Sequence, residues 1–238
     1  MNEMVEPLGP VIVLDIETAP DPAVVAIAGR GREIDRAALH RLVAVSMLVG
    51  CEDADGWGSF ELVSAATDDE MRMLKLINRR LEWLHIEGGT LLTYNGVSHD
   101  FTCLRRRRNA NWAFDLAGIA ALGDIRHFDL MRMSSRGPLK PWPSLRDSCA
   151  ALGIPMNHLL VPSASEPRAA SVRKSQADVV GTFLLFLFET AAARASAASL
   201  SAGWRALSKF LGEPAVRAPH LEQFRAPFLL GLNQDLGG

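Results

Sequence analysis

Val11-Ile12-Val13-Leu14-Asp15-Ile16-Glu17-Thr18 is the stretch on which the reading of this chain turns. Residues 11–16 form a β-branched, apolar run suited to a buried central strand. Side chains alternate between the faces of a strand, so Asp15 and Glu17 project from one face while Leu14 and Ile16 project from the other. Two carboxylates are thereby held close together on an element otherwise built for burial. Like charges placed this way are costly unless a cation neutralises them, and an oxygen-only site suits magnesium or manganese. An Asp-x-Glu triplet is common by chance, and alone it is far more often a solvated strand end than a metal site. The rest of the chain decides between the two.

Downstream, residues 42–49 and 60–63 continue the strand signal, separated by Gly and Asp turns. Residues 18–36, rich in Pro, Gly and Asp, read as a loop, and their Gly29-Arg30-Gly31-Arg32 cluster lacks the lysine-serine ending of a phosphate cradle. Thr67-Asp68-Asp69-Glu70 has the form of a capping box, and Leu74, Ile77, Leu81 and Leu84 follow at helical spacing, which predicts an amphipathic helix over 68–85. Gly88-Gly89 then precedes a short strand at 90–94, ended by the Asn95-Gly96 turn, with a helix starting near Asp100. Ser144 and Asp147 cap another short helix, stopped by Gly153 and Pro155, and 156–170 reads as irregular. A strongly apolar helical pattern covers about 169–198, with shorter helices at 204–211 and 220–224. Strands first, then a strand alternating with helices, predict an α/β fold with a mixed sheet covered on both faces. A single domain over 1–238 is expected, its core at about 11–198 and a helical extension at about 199–238.

Composition narrows the class. With 48% hydrophobic residues in 238, the chain can fill one substantial core. Lys plus Arg number 25 against 27 Asp plus Glu, so no global positive field announces a polyanionic partner, and any such contact must be local. The densest positive run, Arg105 to Arg108, circles its helix and reads as a solvated surface with at most one arginine turned to function. The five tryptophans read as packing residues before base-stacking ones. Cys51, Cys103 and Cys149 lack metal-ligand spacing, which suits reduced thiols. The acidic start is unlike a signal peptide, and the longest apolar run, 179–188, is shorter than the roughly 18 residues that span a bilayer. A cytoplasmic protein without membrane association is expected.

Two further carboxylates answer the question left by the opening strand. Asp100 follows the turn after the strand at 90–94, where strand ends deliver side chains to one rim of the sheet, and Asp178 stands on the apolar face of the late helix. Four carboxylates can hold two divalent ions roughly 3.5–4 Å apart. The segments Asp15-Ile-Glu17-Thr18, Asn95-Gly96-Val-Ser-His99-Asp100, His127-Phe-Asp129-Leu130, Ser144-Leu145 through Pro155, and Asp178-Val-Val occur in this order. In that order and spacing the chain, over about residues 11–225, resembles the DEDD or DnaQ-like 3′-5′ exonucleases. It is most similar to predicted exonucleases related to the proofreading domain of family B DNA polymerases.

The resemblance implies a ribonuclease H-like fold and dependence on two divalent cations, Mg2+ or Mn2+. It implies stepwise release of nucleoside monophosphates from a single-stranded DNA or RNA 3′ end. Asp15, Glu17, Asp100 and Asp178 would carry the metals, Thr18 would line the pocket for the terminal nucleotide, and Asn95 would buttress the strand-to-helix turn. One residue departs from the pattern. Where the family has a tyrosine or histidine that orients the attacking water, about one helical turn before the last aspartate, this chain has Lys174. A lysine ammonium donates and cannot accept. Three readings stand open: Lys174 contacts the scissile phosphate in the tyrosine's stead, it marks a weakened or silent module that binds nucleic acid or protein, or the change is tolerated or the match is off by one helical turn with another residue in the role. His99 replaces the usual phenylalanine and reads as a packed, hydrogen-bonded ring or as a partner of the site able to take a proton.

Overall fold

The computed structural model describes residues 9–28, 39–134, 142–156 and 167–225. Five strands, β1 (Gly9–Pro20), β2 (His40–Asp53), β3 (Gly56–Ala65), β4 (Thr90–Thr93) and β5 (Arg126–Asp129), form one sheet in the order β3-β2-β1-β4-β5. The first three run antiparallel as a meander, whereas β4 and β5 lie parallel to β1. This is the ribonuclease H-like arrangement anticipated above. Its consequence for function is geometric: the carboxyl ends of β1, β4 and β5 reach the same rim.

The apolar run of β1 is buried on both faces, as the parallel centre of such a sheet requires. Val11 and Val13 face the long helix α7 (Pro167–Arg194), backed by α8 (Ala197–Leu211), in a core that includes Leu48, Leu92, Phe183 and Trp204. Ile12, Leu14 and Ile16 face the opposite layer, made by α2 (Glu70–Ile86), α3 (Asp100–Ala110) and α4 (Ala117–Ala120). Asp15 and Glu17 therefore continue the row of Val11 and Val13 and point toward α7. By length and composition α7 could cross a bilayer, yet 67% of its apolar window is buried inside the fold, where it serves as the core helix. The short α5 (Leu130–Ser134) and α6 (Leu145–Ala151) complete the cover, and Ser144 and Asp147 form the expected capping box.

Three expectations are corrected. The stretch read as a loop after β1 holds the tail of that strand and a short helix α1 (Pro22–Ala28), started by Asp21, whose Oδ1 accepts from Ala23 N at 3.1 Å. The glycine cluster at 29–32 and most of the segment at 156–170 lie outside the described residues. Helix α2 begins two residues later than expected because Thr67 Oγ1 accepts from Asp69 N, which leaves Asp69 as the cap of Arg72 N at 3.1 Å. Glu70 cannot close a capping box. Its carboxylate is taken by Arg107 at 2.7 Å, Asn111 at 2.8 Å and Leu42 N at 2.8 Å. Finally, the helical pattern at 169–198 is broken at Ala195 (φ 49°), a left-handed residue that ends α7, and Ser196 caps α8.

Candidate metal centre

Register explains how the carboxylates meet. β1 pairs with β4 only as far as Val13↔Leu92, so Asp15 and Glu17 run past the end of their parallel neighbour. The space that β4 vacates is taken by the turn 94–99 and by the first residue of α3, Asp100, which is 4% exposed. Asn95 adopts a left-handed backbone (φ 68°), and Gly96 sits so tightly that a Cβ there would lie 2.2 Å from Thr93 Oγ1. The Asp129 carboxylate, at the end of β5, accepts from Asn95 N at 2.9 Å and Val97 N at 3.2 Å, locking the turn that aims Asp100. Asn95 thus shapes the turn through its backbone.

From the other layer α7 brings Asp178, and carboxylate oxygens of Asp15, Glu17 and Asp178 lie within 4.8 Å of one another. Burial raises the Asp15 carboxyl well above the ordinary carboxylate range, and the charges of Asp178, Glu17 and Asp100 push it further, against the opposing pull of Lys174. Burial, with the charges of Asp129 and Glu17, pushes Asp100 up to about 8. Glu17 is also raised, by burial, and Lys174 partly reverses the shift. Asp15 Oδ2 is buried and has no hydrogen-bond partner. A buried carboxylate oxygen without a donor, in a set of hard oxygen ligands, fits a divalent cation of the Mg2+ or Mn2+ type.

Lys174 lies in the same cluster. Its Nζ donates to Asp178 Oδ2 at 2.9 Å and contacts Glu17 Oε1. Burial pulls the ammonium's pKa down, but Asp178, Asp15 and Glu17 together outweigh burial and hold it above the ordinary lysine value, so it stays charged. Helix geometry makes the contact with Asp178 easy, since residues four apart share a face.

Beside the acids is a second group that the sequence reading covered in part. Thr18 Oγ1 lies 2.9 Å from His40 Nδ1 and 3.4 Å from His99 Nε2. A register shift in the β1–β2 pairing between Glu17 and Thr18 marks a bulge there, a device that re-aims side chains at a strand end. His40 carried no sequence signal; it stands opposite Pro20 in the register and becomes a neighbour of Thr18 only through the fold. Asp129 was visible as part of a recurrent segment but had no assigned role. Behind Asp15, Ser46 Oγ lies 2.6 Å from Ser175 Oγ and 2.9 Å from Ser64 Oγ, and Gln176 donates to Ser64 at 3.0 Å. These bonds fix α7 against the sheet at the level of Lys174 and Asp178. Isolated serines carry no periodic signal, so nothing in the chain foretold them.

The arginine run is divided in its roles: Arg107 is spent on Glu70 and on Asp21, at 3.1 Å, and Arg108 on the Phe114 carbonyl. Among the tryptophans, Trp204 is buried and donates to Phe224 O at 2.8 Å, while Trp112 is 81% exposed.

Sheet order and site together define an α/β, ribonuclease H-like chain with an acidic cluster of metal-binding type at its carboxyl rim. No family model and no curated protein matches the sequence. Among solved structures, the family B DNA polymerase from the hyperthermophilic archaeon Pyrobaculum calidifontis is similar over 87% of this chain, with 17% identity and a TM-score of 0.46. Exonuclease I in complex with the inhibitor BCBP is similar over 77%, with 15% identity and a TM-score of 0.40. E. coli exonuclease I in complex with a 5cy-dA13 oligonucleotide is similar over 75%, with 17% identity and a TM-score of 0.34. The chain spans 30%, 44% and 40% of the lengths of those three chains respectively.

Proposed function

We propose that this protein is a metal-dependent nuclease, a 3′-5′ exonuclease that hydrolyses phosphodiester bonds at single-stranded DNA or RNA ends. The observation that carries the proposal is the convergence of Asp15, Glu17 and Asp178, with oxygens within 4.8 Å, beside a buried Asp15 Oδ2 that has no hydrogen-bond donor. Polarity and the single-stranded 3′ end follow from the motif resemblance. Asp15, Glu17, Asp100 and Asp178 would hold the metal, two ions in the family pattern, each lowering the pKa of bound water and neutralising charge that develops on the phosphate. The chain's own task is to hold those acids in place: the turn locked by Asp129 holds Asp100, and the serine belt holds Asp178. Thr18, with His40 and His99 beside it, forms a hydroxyl-and-imidazole wall suited to a terminal sugar or base. Asn95 supports that wall from behind through its backbone.

A second reading has its own observation. Lys174 already sits on Glu17 and Asp178, which favours a weakened or silent module that binds nucleic acid without cleaving it. Incubation of a 5′-labelled single strand with Mn2+ or Mg2+ separates the two. The nuclease shortens the strand from its 3′ end only with metal, and Asp15→Ala abolishes the shortening. Strand that stays intact under all conditions supports the silent module.

A further inference from the structure

We infer that Lys174 is a built-in cation that occupies one of the two cation positions of the carboxylate cluster, so that the protein binds a single divalent ion. The inference rests on the metal-binding reading above and replaces the two ions of the family pattern with one. The three converging carboxylates are unequally satisfied. The ammonium touches Glu17 Oε1 and Asp178 Oδ2, two of the three carboxylates whose oxygens converge. The third, Asp15, keeps its Oδ2 buried without a donor. The ammonium sits directly on two of the acids and acts on Asp15 through space, but it gives Asp15 Oδ2 no hydrogen-bond donor.

Tethering makes the lysine a strong competitor. Lys174 and Asp178 share one face of α7, and that helix is fixed at this level by Ser175 on Ser46 and Gln176 on Ser64. A cation carried on the same rigid element acts at a high effective concentration, whereas a second divalent ion must displace it from solution and then face its positive charge. An ammonium supplies charge and hydrogen-bond donors but cannot polarise a coordinated water as a divalent ion does. Lys174 offsets part of the acidic charge where it sits, and water activation would fall to the single divalent ion held with Asp15.

Mn2+ titration of the full chain tests this, followed by calorimetry for stoichiometry and by electron paramagnetic resonance for the state of the ions. Wild type is expected to bind about one ion per chain with the six-line spectrum of isolated Mn2+. Lys174→Met keeps the apolar stem without the charge, and is expected to bind about two ions, roughly 3.5–4 Å apart, with an exchange-coupled spectrum. Lys174→Arg retains a cation and should stay near one, which separates loss of charge from general disturbance of the site. A coupled pair in wild type, or about one ion in a folded Lys174→Met, overturns the inference while leaving metal-dependent hydrolysis standing. Failure of both proteins to bind Mn2+ overturns the inference and the metal-binding reading together.

Discussion

Asp15 is the residue at which folding and function conflict most. Its Oδ2 is buried without a donor, and burial, Asp178, Glu17 and Asp100 all act against its ionised form. In the unfolded chain that carboxyl is hydrated and free of them, so at neutral pH the metal-free fold bears a cost the unfolded state does not. Asp15→Asn keeps the shape and removes the charge. It is expected to stabilise the metal-free protein by about 1–3 kcal/mol, a rise of about 2–12 °C in Tm for a domain of this size, while abolishing Mn2+ binding. A thermal melt without metal checks the sign. A lower Tm for the variant would mean that Asp15 is satisfied by a donor in the native state. Lys174 limits the same cost by neutralising Glu17 and Asp178, so one side chain stabilises the resting fold and competes for the site it stabilises.

At the level of elements, the site depends on a strand that outruns its neighbour and on a turn that fills the gap. β5 is only four residues long, yet its last residue, Asp129, supplies the two acceptors that fix the backbone ahead of Asp100. Hydrogen bonds to a charged acceptor contribute about 1.5–3 kcal/mol each, so Asp129→Ala is expected to lose about 3–5 kcal/mol and to weaken Mn2+ affinity through a misplaced Asp100. Asp129→Asn retains one acceptor and should lose roughly half as much. Chemical denaturation with unchanged m-value checks both, and unaltered stability in Asp129→Ala would show that the turn holds without β5. Legibility at this scale followed locality. The Ser144–Asp147 box and the stripe of α2 are written within one or two helical turns and were readable. β5 was not, because Arg-His-Phe-Asp has no alternation of its own and becomes a strand only by pairing with β4. The start of α2 was misplaced because Glu70 is drawn away by Arg107, 37 residues distant. The helix at 22–28 was missed although Asp21-Pro22 is itself a helix start.

At the scale of the molecule, a formal charge of −2 hides a concentration of acid at one rim of the sheet. Three of its acids, Asp15, Glu17 and Asp178, were legible as separated carboxylates, because a two-residue spacing on a strand and an acid on an apolar helix face both survive in one dimension. What was not legible is the way the two layers close on it: the serine belt, His40, and the descent of Lys174 among the acids all depend on how α7 lies across β1 and β2. The closed site should couple protonation, metal and global stability. Asp100 is raised from its ordinary value to about 8, and Asp15 is raised with it. From the ordinary carboxylate value up to about 8 the folded state binds more protons at Asp100 than the unfolded state, so this group makes metal-free stability fall as pH rises through that interval. A bound divalent ion requires the same carboxylates deprotonated, so its affinity rises over that interval and protons are released on binding. Melts at about pH 7 and about pH 8.5, each with and without Mn2+, should show a lower metal-free Tm at the higher pH and a larger gain on adding metal. Buried Cys103 and Cys149, each pushed up to about 12 chiefly by burial, also disfavour the fold at high pH, as does any thiol that ionises on unfolding. His127, lowered to about 4 by burial, adds a dependence of opposite sign that lies below about pH 6.5 and so outside the window. A metal-induced gain that is equal at the two pH values, or larger at pH 7, would show that Asp100 does not take part in holding the ion.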